Sequence, residues 1–535
     1  MSHRHLFQLP QDMDLDRPTL AKIVATIGPA SESPEMVRKL IEAGVSVFRF
    51  NFSHGEFGAH EKRLRTVREV AGAMGRTVAC LGDLQGPKIR VGKVPPGLSK
   101  GADGTPLPGI ELKAGQDVIL KKGISESFIR SSDNGEGTPV LSLTYEKMVD
   151  EVAPGQRVLI NDGAIRMLAV DTDHAKGELR CRVRTGGLVT SNKGINLPQS
   201  EISAPAITDR DWECVAWAVK NGIDFLALSF VRKADEVLEL KRRLAELCPI
   251  DKALDPSGQG VAIPVIAKIE KPQAVQNIES IVDASDAIMV ARGDLGVEMD
   301  IAQVPIAQKV ILDACGQYGK PVIVATQMLE SMIESPVPTR AEASDVANAI
   351  FDSADAVMLS GETAVGKNPS LVVETMRRII AAAESRIAEL PRRPGAPLKL
   401  VQSRYATAAL AHGAWQIAHD IGAKAIVCWS ENAGTARYLS QNNFTVPIFA
   451  WSSNLHATRR MALLAGVTPV HAPPPASGTL AEWNSQVDAY LVERRICRPG
   501  DSIILVAGKP LGVARVTNAL AIHIVGETRS GFRAH

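Results

Sequence analysis

From Lys22 to about Leu390 the chain alternates between two patterns. Short apolar runs rich in Val, Ile and Ala lie at 22–27, 45–53, 77–83, 224–230, 263–270, 287–294, 321–327 and 356–362. Between or after them, apolar positions recur at helical spacing over 34–43, 59–74, 208–221, 234–247, 272–283, 305–318, 339–353 and 370–390. Near-continuous apolar runs suit strands buried on both faces, as in a parallel sheet covered by helices. Thr208 before Asp209-Arg210-Asp211 reads as a helix cap, and Gly44, Gly75, Gly222 and Gly319 each follow a helical segment, where a C-terminal glycine is expected. Eight β/α units with short connections predict a TIM (β/α)8 barrel. An open doubly wound sheet is the competing arrangement, and the count of eight favours closure.

One connection breaks the rhythm. Roughly 120 residues separate the third run from the next helix, far more than an ordinary loop. Short β segments at 117–121, 157–160, 164–171 and 178–184, separated by Gly, Pro and Asp, predict a small β-barrel lid domain over 88–198 inserted into the barrel of 19–87 and 199–390. The stretches 94–110 and 131–138, rich in Gly, Pro and Ser, read as loops. After Leu390 the RRPGAP stretch resembles a linker. Strand candidates at 424–429, 446–451, 467–471, 502–507 and 519–525, with helices at 403–420, 433–441, 454–465 and 479–495, then predict a C-terminal α/β domain with an open parallel sheet over 391–535. Residues 1–18 are polar and read as an extension.

Bulk properties narrow the function. Sixty basic against 59 acidic residues, a net charge of +1, argue against a general nucleic-acid or anionic-membrane surface. The seven cysteines are scattered and form no C-x-x-C pair, so reduced thiols and a cytoplasmic setting are expected rather than a disulfide framework or zinc site. No apolar run approaches the ~20 residues that span a bilayer. Aromatic residues are only 4 %, so the cores rest on aliphatic side chains.

The predicted strands end in polar residues, and a barrel active site lies at those ends. The second ends Arg49-Phe50-Asn51-Phe52-Ser53-His54, with Arg49, Asn51 and Ser53 on one face and the phenylalanines on the other. The third ends in Asp83, followed by Leu84-Gln85-Gly86-Pro87-Lys88-Ile89-Arg90. Ser229 closes the fourth, Lys268 and Glu270 the fifth, Arg292 and Asp294 the sixth, Thr326 and Gln327 the seventh, Ser360 and Glu362 the eighth. Residues two apart in a strand share a face, so Lys268 and Glu270 point together, as do Arg292 and Asp294. Two carboxylates from adjacent strand ends suit a divalent cation, with a lysine beside them for an anion. A rim ion pair between Lys268 and Glu270 is the plainer alternative, and the two are compatible. Residue chemistry alone reaches an enzyme acting on an anionic ligand with Mg2+.

The motifs go further. KIVATIGPAS (22–31), FRFNFSHG (48–55), DLQGPKIRVG (83–92), NKGINLP (192–198), AKIEKP (267–272), MVARGDLGVE (289–298), ATQMLESM (325–332), PTRAEASDVANA (338–349) and SGETAVGKNP (360–369) resemble, in order and spacing, those of the pyruvate kinase family. The resemblance implies a TIM barrel with a β lid and a C-terminal α/β domain. It also implies phosphoryl transfer from phosphoenolpyruvate to ADP, giving pyruvate and ATP. On that resemblance Glu270 and Asp294 hold Mg2+ (or Mn2+), Lys268 sits on the transferring phosphoryl group, and Arg49 binds the substrate phosphate. Gly293 and Asp294 offer backbone N–H groups to the substrate carboxylate, and Thr326 contacts the same carboxylate. Nucleotide contacts come from Asn51, Phe52, Ser53, His54, Arg90 and the lid's Lys193. Family members are usually cytoplasmic homotetramers.

Two departures carry expectations of their own. Many family members have glutamate where this chain has Lys88, and those need K+. The K+ ligands map to Asn51, Ser53, Asp83 and the Leu84 carbonyl, and an ammonium at Lys88 is expected to replace the ion. In the C-terminal domain the family often has T-x-S-G-R-[ST]; here Ser430, Asn432, Gly434 and Thr435 stand in a loop that opens a helix, and the late loop Gly508–Gly512 is also atypical. A phosphorylated effector such as a sugar monophosphate or AMP is expected, with a plain helix cap as the alternative. Another Mg2+-dependent TIM-barrel enzyme of enolates, an aldolase or lyase, is the rival activity; it needs neither a lid lysine nor FNFSHG beside GPKIR.

Overall fold

The computed structural model describes residues 19–131, 137–248, 262–390, 397–442, 445–513 and 516–533. The N-terminal extension, most of the 131–138 loop and the RRPGAP linker before Pro397 lie outside them. All eight predicted runs are strands of one closed parallel barrel: Lys22–Thr26, Val45–Asn51, Ala79–Asp83, Phe225–Leu228, Val265–Ile269, Ala287–Ala291, Val322–Ala325 and Ala356–Leu359. Closure is made by the first and last, with Lys22 opposite Ala356 and Ala25 opposite Leu359. The open-sheet alternative is therefore excluded.

Two apolar layers explain why the runs are continuous. Outward-facing residues such as Ile23, Phe48, Val290 and Val324 pack against the surrounding helices. Inward-facing Val24, Leu81, Ile266, Met289, Ile323 and Met358 fill the barrel, and Ala462 and Leu463 of the C-terminal domain join this layer. They belong to a 3-10 turn, Met461–Leu463, that stoppers the N-terminal mouth. Helix starts follow the expected chemistry: Thr208 and Thr339 each form a reciprocal capping box with the acid three residues on. Gly44, Gly75, Gly222 and Gly319 all take positive φ after their helices. The helix predicted at 272–283 is instead two, Pro272–Gln276 and Ile278–Ala284, meeting at Asn277.

The insertion holds a seven-stranded sheet and a two-stranded one, Gly187–Val189 with Ile110–Leu112, around its own core, built on Val118, Leu120, Val158, Ile160, Met167 and Leu179. The outermost strands of the larger sheet are Ile195–Asn196 and Phe128–Arg130. The segment after the third barrel strand bridges toward both, with Arg90 opposite Gly194, Val91 opposite Leu143 and Lys93 opposite Glu126. Several of its strands are two to four residues long, too short to leave a periodic signal, and were not expected.

The C-terminal sheet orders its strands Val467–His471, Ile448–Ser452, Ala425–Trp429, Ser502–Ala507 and Ala519–Ile524. Four are parallel, but the last runs antiparallel to Ser502–Ala507, so the expected all-parallel sheet is corrected to a mixed one. Among the described residues the connection between those two strands contains no helix, only the loop after Ala507. An antiparallel neighbour needs no crossover helix, whereas a parallel one does.

Candidate active site

The strand ends converge as the alternating pattern requires. Arg49 Nε donates to Asp83 Oδ2 at 2.7 Å, and its Nη1 to Thr26 Oγ1 at 3.0 Å. Lys268 Nζ donates to Ser229 Oγ at 2.7 Å and lies 2.9 Å from Glu270 Oε1 and 3.2 Å from Asp83 Oδ1. Four consecutive barrel positions, from the second strand to the fifth, thus meet in one buried ionic cluster. Lys268 and Glu270 do share a face.

Burial sets the electrostatics. Burial pulls the Lys268 ammonium toward the neutral form, but the Asp83 and Glu270 carboxylates outweigh it and raise its pKa. Asp83 is also buried, yet Lys268 and Arg49 hold it below the ordinary carboxylate range. Glu270 is pushed up to about 7, chiefly by burial, with the nearby Asp294 adding to the effect against Lys268. Glu270 and Asp294 thus bring two carboxylates together in a buried place, where a cation would favour the ionised form of both. All donor atoms there are oxygens, which suits Mg2+. Among the described residues no three His, Cys, Asp or Glu side chains converge on a metal. The fit is to an ion that keeps most of its ligands from water and substrate.

The sixth strand stops sooner than expected. It ends at Ala291, and Arg292–Glu298 is a short helix. The expectation that Arg292 and Asp294 share a strand face is therefore corrected. In a helix they point apart, and Arg292 turns away to Asp345 at 2.7 Å and the Thr326 carbonyl at 2.9 Å. Arg292 braces the helix that carries Gly293 and Asp294. The Gly293 N–H donates to Thr326 Oγ1 at 2.7 Å, bringing both expected carboxylate contacts to one point.

Backbone strain gathers here. Thr326 has φ of 69° and Phe230 of 55°, conformations that non-glycine residues rarely adopt. Phe230 uses it to aim its N–H at Glu270 Oε2, 2.6 Å away. Gly86 also has positive φ, and a Cβ there would lie 2.9 Å from the Phe230 ring. Nothing in the apolar pattern marked Phe230 or Thr26 as parts of the site.

The remaining expected residues divide. Phe52 is buried against His60 and Trp217, so only its backbone faces the site. Asn51 Oδ1 accepts from the Ser53 N–H at 3.1 Å, and the Leu84 carbonyl accepts from Ser229 Oγ at 2.7 Å. His54 is exposed, with its carbonyl 3.0 Å from His60 Nε2. Arg90 donates to the Asn192 carbonyl beside Lys193, and among the described residues neither basic side chain pairs with the strand-end cluster. Lys88 lies at the lid junction, its Cε 3.0 Å from where a Cβ on Gly194 would be.

In the C-terminal loop Ser430 Oγ accepts from the Ala436 N–H at 3.1 Å, a cap, and Thr435 Oγ1 lies 2.7 Å from Thr517 Oγ1. The neighbouring Glu431 accepts from Trp429 Nε1 at 2.9 Å and from Ser453 Oγ at 2.5 Å. Asn432 is exposed and Gly434 half-buried in the same turn.

The comparisons with known proteins agree with this geometry. The family model described as pyruvate kinase, barrel domain, matches residues 19–373, and that described as pyruvate kinase, alpha/beta domain, matches 408–523. A pyruvate kinase of Staphylococcus aureus strain MRSA252 is 41 % identical over 510 residues, covering 95 % of this chain and 80 % of that protein. A pyruvate kinase of Staphylococcus saprophyticus is 40 % identical over the same share of each. The crystal structure of a pyruvate kinase from Cryptosporidium parvum superposes with a TM-score of 0.81 at 32 % identity, over 96 % of this chain and 97 % of that one.

Proposed function

Because the chain belongs to the pyruvate kinase family and is a phosphotransferase, we propose that its strand-end cluster moves the phosphoryl group of phosphoenolpyruvate to ADP. The observation that carries this reading is Lys268, held by Asp83, Glu270 and Ser229 at the meeting point of four strands. An incoming phosphoryl group takes over the ammonium now spent on those oxygens. Arg49 supplies a planar guanidinium for the substrate phosphate. Thr326 and the Gly293 N–H receive the substrate carboxylate, and Thr326 orders the water that delivers the proton to the enolate carbon. A divalent ion held by Glu270 and Asp294 would supply charge neutralisation between enolate and phosphoryl oxygens. Phosphoryl transfer consists mostly of such positioning and charge stabilisation.

Nucleotide contacts from the backbone of Asn51 to His54, from Arg90 and from Lys193 complete the site when the lid closes and excludes water. K+ independence is supported by Lys88 and by the donors already on Asn51 Oδ1 and the Leu84 carbonyl. A phosphorylated effector at Ser430, Asn432, Gly434 and Thr435 would meet the neighbouring Glu431 carboxylate, which is held by Trp429 and Ser453. A homotetramer is part of the same family reading, and Ile301, Ile306 and Val337 are exposed large apolar side chains. A cytoplasmic setting is supported by seven free cysteines, and no helix among the described residues is long and apolar enough to cross a membrane. The test is a coupled assay for pyruvate with and without ADP, in K+ and in tetramethylammonium, and with a panel of phosphorylated metabolites. ADP-dependent pyruvate formation supports the reading; formation without ADP sinks it.

A further inference from the structure

Glu298, the last residue of the helix that begins at Arg292, is 1 % exposed, yet it does not face the ionic cluster. Its Oε1 accepts from Asn196 Nδ2 of the lid at 2.9 Å and from Lys271 Nζ at 3.0 Å. Asn196 is itself buried, in the two-residue strand Ile195–Asn196, three positions after Lys193. The Lys271 ammonium sits 5.9 Å from the centre of the Phe230 ring, the residue whose N–H holds Glu270. One carboxylate therefore joins three parts: the lid strand bearing Lys193, the helix bearing Asp294, and the strand end bearing Glu270.

A simple structural ion pair would not need this arrangement. A buried charge is expensive to desolvate and is retained where its partners are held in fixed geometry. Of the two described partners, Asn196 belongs to the inserted domain and Lys271 to the barrel. The remaining Glu298 Oε2 and Asn196 Oδ1 are buried without a protein donor, so the link is held by the two bonds to Oε1 alone. These atoms border a small cavity also lined by Lys88, Phe230, Arg232 and Lys271.

We propose that Glu298 is a positioning residue that sets the lid's Lys193 relative to the Asp294 helix through Asn196. This rests on the phosphotransferase reading above. Loss of the link frees the lid and weakens its grip on the nucleotide, while phosphoenolpyruvate, held by barrel residues, is little affected.

The test compares Asn196→Ala, Glu298→Ala and the double variant, in full-length protein, for half-saturation by ADP and by phosphoenolpyruvate. Losing a charge-assisted hydrogen bond should raise ADP half-saturation about tenfold in Asn196→Ala, with phosphoenolpyruvate half-saturation moving less than about twofold. The double variant should be no worse than Glu298→Ala, since both changes break one link. Hydrogen exchange should quicken at the lid junction of Asn196→Ala and stay unchanged in the barrel strands. If Glu298→Ala does not fold, Asn196→Ala alone decides. An unchanged ADP half-saturation in Asn196→Ala, or an equal change for both substrates, overturns the proposal. Wild-type protein without ADP-dependent activity instead overturns the reading on which it rests.

Discussion

The two mouths of the barrel use carboxylates in different ways. At the N-terminal mouth Asp224, Asp286 and Asp355 each stand just before a strand and accept a backbone N–H from the preceding one. The partners are Cys80 at 2.7 Å, Val265 at 2.8 Å and Val322 at 2.8 Å. Asp224 adds Arg68 at 2.6 Å, and Asp355 adds Gln441 of the C-terminal domain at 3.0 Å. These bonds tie strand to strand. At the C-terminal mouth Asp83 and Glu270 pair with Arg49 and Lys268, side chains that can be given up to a ligand, and Glu270 keeps one backbone bond, from the Phe230 N–H. Carboxylates that bind a neighbouring strand's backbone hold the fold; those facing the cations of the strand-end cluster are available for chemistry.

The largest effect that would test this contrast is Lys268→Met. Turnover should fall by roughly 10²- to 10⁴-fold, as expected for removing a charge from a transferring phosphoryl group, while phosphoenolpyruvate binding stays close to wild type and the thermal midpoint falls, because Asp83 and Glu270 lose a buried partner. Steady-state rates beside calorimetry check both halves, and near-normal turnover removes the assigned role. Asp224→Ala is the mirror experiment. It strands Arg68 in a buried site and should cost about 3 kcal/mol in urea unfolding, with turnover per folded molecule unchanged.

Lys88→Glu sharpens the contrast more gently. The variant should acquire activation by K+, measured against tetramethylammonium, whereas wild type runs equally in both. A wild-type enzyme that needs K+ refutes the account of Lys88. The smallest effect is one of pH. Burial pushes Asp355 up to about 7 from an unfolded value near ~4, so the native state holds an extra proton between these limits. Stability therefore falls as pH rises from ~4 through about 7, because the group must ionise while buried. In Asp355→Asn that decline should be shallower, read as thermal midpoints across the range.

The barrel was legible because its strands are buried on both faces and its helices on one, so both periods survive in the sequence. Lys268 and Glu270 were legible for the same reason, two apart at a strand end. Arg292 and Asp294 were misread because the apolar run gives no sign that the strand turns into a helix at Arg292. Phe230 and Thr26 were invisible, since one acts through a strained backbone N–H and the other through a hydroxyl common in any strand. The Asp224, Asp286 and Asp355 repeat was present as an aspartate before each of three strands and went unnoticed. The short lid strands and the reversed last strand depend on distant pairing rather than local pattern.

The most direct test of the strand-end cluster as a phosphotransferase is product analysis by phosphorus NMR after incubation with phosphoenolpyruvate, ADP and Mg2+. The expected result is one ATP for each phosphoenolpyruvate consumed. Phosphoenolpyruvate converted to inorganic phosphate, with ADP unchanged, would contradict it.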